Sequence, residues 1–201
     1  MLTLIRIVAL AGYVVVACRA GSATTSLVKP TMGATQAKVL AVALEEATGG
    51  RGIIALDLTT AVPLATLSHY ENRRGGGLSL PSNSGKDVRV NAELWRIFRH
   101  TNAQPSQLSV VPAVSGVLSL SSAALHELLP DASPDAWKRF QEKVSGLRAV
   151  VTVTVPAVNG DSAMLYMTIS RGPLSGEGFV CLFRRSGQNW RLSSKHVVIA
   201  N

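Results

Sequence analysis

Four stretches of the chain place apolar residues at helical spacing, and its last quarter places them at strand spacing. Val39, Leu40, Ala43, Leu44 and Ala47 share one side of a helix predicted over residues 36–48, with Thr35 as its cap and Gly49-Gly50 ending it. The segment "GIIALDLTT", residues 52–60, then reads as a buried strand. Asn91 is a good cap for "AELWRIFRHTN", in which Leu94, Ile97, Phe98 and Thr101 form one face with Trp95 at its edge. Residues 107–121 alternate weakly around Pro112 and Gly116, which predicts two short strands or an irregular edge, and Ser121 or Ser122 then starts a brief helix ending near Leu129-Pro130. In "SPDAWKRFQEKVSG" Ser133 caps, Pro134 takes the first turn, Asp135 meets the positive helix end, Trp137, Phe140 and Val144 share a face and Gly146 stops the helix.

From Arg148 onward the pattern is sheet. "RAVVTVTV" is β-branched, Asn159-Gly160-Asp161 is a hairpin turn, and "EGFVCLFRR" and "WRLSSKHVVI" are joined across residues 186–189. In the last strand Trp190 and Leu192 point one way while Arg191, Ser193 and Lys195 point the other, the mark of a sheet with one covered face. The predicted class is α+β, helices packed on a C-terminal antiparallel β-meander of about four strands.

The N-terminus has a different layout. A short head with one charge, Arg6, precedes ten uncharged residues, Ile7 to Val16, and small residues follow, as in a secretory signal peptide. The run is too short to span a bilayer, which needs roughly 20 apolar residues. Val15-Val16-Ala17-Cys18 resembles the lipobox of bacterial lipoproteins, with Val where Leu is commonest; the resemblance implies cleavage before Cys18 and lipidation of its sulfur. Ordinary cleavage after Ala20 or Ala23 stands beside it. The domain plan is therefore a signal peptide over 1–17, a small and polar tether over 18–34, and one α+β domain over 35–201. With Cys18 removed or acylated, Cys181 has no intramolecular partner, so the fold must rest on its core.

Charge narrows the partners. The chain has a formal charge of +8, which falls by one to +7 when Arg6 leaves with the signal, and this favours anionic surfaces. The basic residues are spread in pairs, Arg73-Arg74, Lys138-Arg139 and Arg184-Arg185, with few aromatics beside them, which argues against nucleic acid as partner.

The segment "GPLSGEGFVCLFRRSGQNWRLSS", and more loosely 148–199 with "LWRIFRHTN" upstream, resembles a group of uncharacterised exported bacterial proteins. In that group the glycine-bearing loop often carries cysteines; Pro173, Leu174 and Ser175 stand here, so no disulfide or metal role transfers, and the resemblance implies no activity.

Catalytic motifs fail on spacing. Pro130 stands where a second zinc ligand would follow His126-Glu127, Leu80 stands where a phosphate loop ending at Gly85-Lys86 needs glycine, and Pro173 stands where a nucleophile elbow around Ser175 needs one. Ser26 and Lys29 have a serine–lysine spacing inside the tether without companion motifs. His69 in "LSHYENRR" is the one acid–base candidate, with Asp57 on the preceding strand as a possible orienter. Residues 71–87 read as a polar surface loop, and Arg171 to Gly178 as a loop joining two strands, where Arg171, Gly176, Glu177 and Gly178 are candidate ligand contacts. No metal set and no cofactor motif is read.

The expectation is an exported, lipid-anchored envelope protein facing periplasm or exterior, its domain acting as a binding or interaction module. Its partners would be the membrane through the lipid anchor and an envelope protein or anionic envelope component. The alternatives are a simply secreted form and a periplasmic or extracellular hydrolytic enzyme centred on His69.

Overall fold

A computed structural model describes residues 32–50, 52–61, 63–72, 76–82 and 86–200. Signal peptide, lipobox and most of the tether lie outside them. In chain order the elements are α1 (Ala34–Thr48), β1 (Ile53–Asp57), α2 (Leu64–Leu67) with a 3-10 turn (Ser68–Tyr70), β2 (Leu78–Leu80), β3 (Val88–Val90), α3 (Ala92–Thr101), β4 (Val117–Leu120), α4 (Ser122–Leu128), α5 (Pro134–Lys143), β5 (Leu147–Val153), β6 (Ala157–Asn159), β7 (Ser162–Gly172), β8 (Ser175–Ser186) and β9 (Asn189–Ala200). Among the described residues no helix is long and apolar enough to cross a membrane.

The class is α+β, and the C-terminal strands are antiparallel. The sheet is larger than the meander of about four strands that turn counting predicts. It has seven strands in the order β4-β1-β5-β7-β8-β9, with β6 also paired to β7. The difference comes from the first half of the chain: β1 inserts between β4 and β5 and runs parallel to both. Parallel partners lie a helical crossover away in sequence, so no turn signal announces them. β5 and β6 line the same edge of β7, separated at Thr154–Pro156, where proline has no N–H to offer the ladder. The polar stretch 71–87 is not wholly loop either, since β2 and β3 pair within and beyond it as a hairpin.

Strand alternation then builds two unlike faces. Ile54 and Leu56 of β1, Val151 and Val153 of β5, Leu165 and Met167 of β7, and Phe179, Cys181 and Phe183 of β8 join Val39, Leu40 and Leu44 of α1 in one continuous core. Packing begins before the helix, at Met32, which is buried in that core. Gly33 rather than Thr35 caps α1, its N–H donating to Gln36 Oε1 at 2.9 Å, and Gly49 closes it at φ 55°, a conformation glycine adopts without a Cβ penalty. The opposite face carries two separate clusters. Leu125, Trp137 and Phe140 from α4 and α5 cover Ala55, Leu147 and Val150. Leu67, Trp95 and Phe98, with Leu78, Leu80 and Val90 of the small hairpin, cover Met164, Tyr166 and Val180.

Between these clusters runs a polar row fixed by register: Asp57 opposes Thr152, Thr152 opposes Thr168 and Thr168 opposes Gly178. Two polar clamps join the second cluster to the sheet. Buried Asn102, after α3, donates from Nδ2 to the Phe98 and Val155 carbonyls at 3.1 and 3.0 Å and accepts from the Val155 N–H at 2.9 Å. Buried His196 holds the Pro81 carbonyl at 2.8 Å through Nδ1; a carbonyl only accepts, so that nitrogen carries a proton, and Nε2 meets Ser194 Oγ at 2.9 Å.

One alternation differs from expectation. Leu182 opposes Ser194 while Phe183 opposes Leu192, so Ser193 is an extra residue in β9. The bulge returns Lys195 to the side of Trp190 and Leu192, where its Nζ lies 3.7 Å from the centre of the Phe179 ring.

Candidate functional site

The residues singled out from sequence are dispersed. Cys18 lies outside the described residues. Asp57 ends β1 and is 1% exposed; its Oδ1 accepts from the Thr59 N–H and from Ser122 Oγ, both at 2.9 Å, and Thr59 and Ser122 also bond each other through their hydroxyls. The carboxylate thus ties the end of β1 to the start of α4. His69 sits exposed on the 3-10 turn, and no hydrogen bond among the described residues joins it to Asp57.

The stretch Arg171 to Gly178 is a tight hairpin rather than a loop: β7 runs to Gly172 and β8 starts at Ser175, leaving Pro173 and Leu174 as the turn. Arg171 Nη1 and Glu177 Oε2 pair at 2.7 Å, each answering the other's charge. Gly176 and Gly178 are buried strand residues. A Cβ on Gly178 would come 2.6 Å from the Tyr166 hydroxyl oxygen, so this glycine makes room for the tyrosine, whose hydroxyl is pushed up to about 12 by burial. Cys181 is likewise pushed up to about 12 by burial, which leaves its thiol protonated and unreactive at neutral pH.

A different group of residues does converge. Where β3 runs into α3, a cleft of about 140 Å³ opens against the neighbouring ends of β7, β8 and β9. Val90, Leu94, Ala163 and Leu182 contribute apolar wall, and Arg89 and Arg184 stand at its margin with Ser162, Ser193 and Ser194. Arg184 Nη1 donates to Ser162 Oγ at 2.7 Å. Asn91 accepts from the Leu94 N–H at 2.7 Å and so orders the first turn of α3 at the cleft wall.

The charged residues that line the cleft, Arg89 and Arg184, are of one sign. Arg184 stands directly opposite Arg191 in the β8–β9 ladder, a like-charge pairing that costs stability in a sheet. Among the described residues neither of them, nor Arg89, forms an ion pair with an acid. Guanidinium groups match the planar, two-point geometry of phosphate and carboxylate, and serine hydroxyls donate to the same oxygens. Among the described residues no group of three or more His, Cys, Asp or Glu is placed to hold a metal ion. What this arrangement can do chemically is hold an anion.

The Arg184-Arg185 pair is visible in the sequence, whereas nothing there joins Arg89 to it. Adjacent strand residues point to opposite faces, so only Arg184 reaches the cleft, while Arg185 turns back to pair with Asp161 at 2.6 Å. Arg89 arrives through a hairpin that the polar stretch concealed. Comparison with protein-family models, curated proteins and solved structures returns no match for this chain.

Proposed function

We propose that the chain is an exported envelope protein, lipid-anchored through Cys18, whose α+β body is a binding module for an anionic group of an envelope component. The observation that supports it most is the cleft: among the described residues Arg89 and Arg184, and Arg191 opposite Arg184, form no ion pair with an acid, and Arg89 and Arg184 line the cleft with serine hydroxyls. The hydrolytic alternative has less behind it, because His69 is exposed on its own turn and Asp57 is engaged by Thr59 and Ser122.

Inorganic phosphate is the simplest probe. A ligand that binds only the folded state raises the unfolding midpoint by mass action. At constant ionic strength, phosphate should raise the midpoint above that in chloride, and Arg184→Gln with Arg89→Gln should remove the increment. An increment that survives both substitutions would place anion binding elsewhere and defeat the assignment. The anchor is tested by the intact mass of protein from a membrane fraction, where a diacylglyceryl mass is expected on Cys18 and absent in Cys18→Ala.

A further inference from the structure

The chain enters its folded body at one end of the sheet, and that end is the basic one. Gln36, in the first turn of α1, donates from Nε2 to the Pro156 carbonyl at 2.8 Å, which places the helix start beside the link between β5 and β6. Thr35 and Lys38 share a hollow of about 270 Å³ with Arg185, Gly187, Gln188 and Trp190 of the β8–β9 hairpin. The helix start and the hairpin turn therefore occupy the same end. Lys38, Arg184, Arg185 and Arg191 are all exposed there, Arg89 lies across the cleft, and among the described residues Asp161 pairs with Arg185 alone.

Among the described residues the far end has no such excess: Arg171 is matched by Glu177, and Arg148, exposed beside Gly52, shares that end with Glu45 and Glu46, exposed in the last turn of α1. That helix has no acid in its first turn and no base in its last, the reverse of what the helix dipole rewards. Helix stability does not account for this polarity.

Resting on the reading that the chain is lipid-anchored, we propose that this end lies against the anionic headgroup layer of the membrane holding Cys18, with Lys38, Arg184, Arg185 and Arg191 engaging lipid phosphates. Thirteen residues, 19–31, separate Cys18 from Met32. Fully extended they reach at most about 45 Å, so the body is confined near the surface it is tethered to. The attraction acts within about 8 Å at physiological ionic strength, so only the end turned to the membrane contributes.

The test uses the chain from Arg19 to Asn201, which lacks Cys18 and so cannot be lipidated; all three apolar clusters are closed by residues it retains. It should sediment with vesicles of mixed phosphatidylglycerol and phosphatidylcholine, not with phosphatidylcholine alone, and added sodium chloride should release it. Each basic group near a charged surface is worth about fivefold in partitioning, so Lys38→Gln with Arg185→Gln and Arg191→Gln should weaken binding about a hundredfold. Removing the same charge from α5, by Lys138→Gln, Arg139→Gln and Lys143→Gln, should leave binding unchanged. Should the first triple variant lose its circular dichroism signature, Lys38→Gln with Arg191→Gln, which touches no ion pair among the described residues, should still weaken binding about twenty-fivefold.

Equal loss in the two triple variants would reduce the effect to net charge and overturn the proposal, as would binding that ignores phosphatidylglycerol. The anchor reading fails separately: an unmodified Cys18 with intact vesicle preference defeats the anchor alone, and a lipidated Cys18 without that preference defeats the docking alone.

Discussion

The two faces of the sheet solve the same burial problem differently. One lies under a single helix, α1, and its apolar residues merge from β1 to β9 into one core. The other is divided, α4 and α5 covering the parallel strands and α3 with the small hairpin covering the antiparallel ones, with Asp57, Thr152 and Thr168 as a polar row between. A continuous face supplies cooperativity, because each side chain shares neighbours with the next. A divided face lets one of its covers form a cleft without disturbing the other, and the arginine cleft opens beside the α3 cluster, not under α1.

The division makes its strongest prediction about additivity. Phe98 and Phe140 are fully buried, one in each cluster of the divided face. Truncating either to alanine should cost about 3–5 kcal/mol in urea unfolding. Because they share no cluster, the double variant should equal the sum of the singles within about 0.5 kcal/mol. Leu40→Ala with Leu44→Ala, one turn apart in the continuous core, should depart from additivity by at least about that amount. Coupling between the two phenylalanines as large as between the two leucines would mean that the polar row divides nothing.

A smaller effect is expected where the divided face is stitched to the sheet. Asn102 makes three side-chain hydrogen bonds, one back to Phe98 of α3 and two to Val155 at the break between β5 and β6, and its side chain is buried. Asn102→Ala should cost about 2–3 kcal/mol, since it leaves buried backbone groups of Val155 unanswered. Hydrogen exchange should then quicken in α3 and β6 before it quickens in α1. Uniform acceleration across both faces would show that the clamp serves the whole sheet and not one cover.

These contrasts also mark how far the sequence could be read. The caps of α3 and α5 were legible because the signal is local: Asn91 and Ser133 accept from N–H groups three residues on. The placing of Trp190 and Leu192 on the covered face followed from period-two alternation. Lys195 defeats the same rule, because the bulge at Ser193 shifts the period by one and nothing in "RLSSKH" announces it. The parallel partners of β1 were hidden for another reason, since β4 and β5 are separated from it by helices and not by turns. The cleft was hidden twice over, in the pairing of β2 with β3 and in the tertiary approach of β3 to β8, which brings Arg89 and Arg184 to one cleft.

The smallest predicted effect concerns charge at the rim of the α3 cluster. Glu71 accepts from Arg99 Nη1 and from Trp95 Nε1, both at 2.7 Å, and the Arg99 guanidinium lies 5.9 Å from the centre of the Trp95 ring. The hydrogen bond from Arg99, then that from Trp95, holds the Glu71 carboxyl below its ordinary value of 4.5. A carboxyl lowered on folding adds stability that is present above its ordinary value and lost as the pH falls through the folded one. Wild type should therefore exceed Glu71→Gln in stability at neutral pH, by less than about 1 kcal/mol because the pair is largely solvated, and the two should converge in acid. Salt separates the two bonds: high ionic strength should shrink the contribution of Arg99, while the Trp95 bond, set at the edge of the cluster, persists. An advantage of wild type that is unchanged from neutral pH to well below 4.5 would show that Glu71 acts on this face through packing and not through its charge.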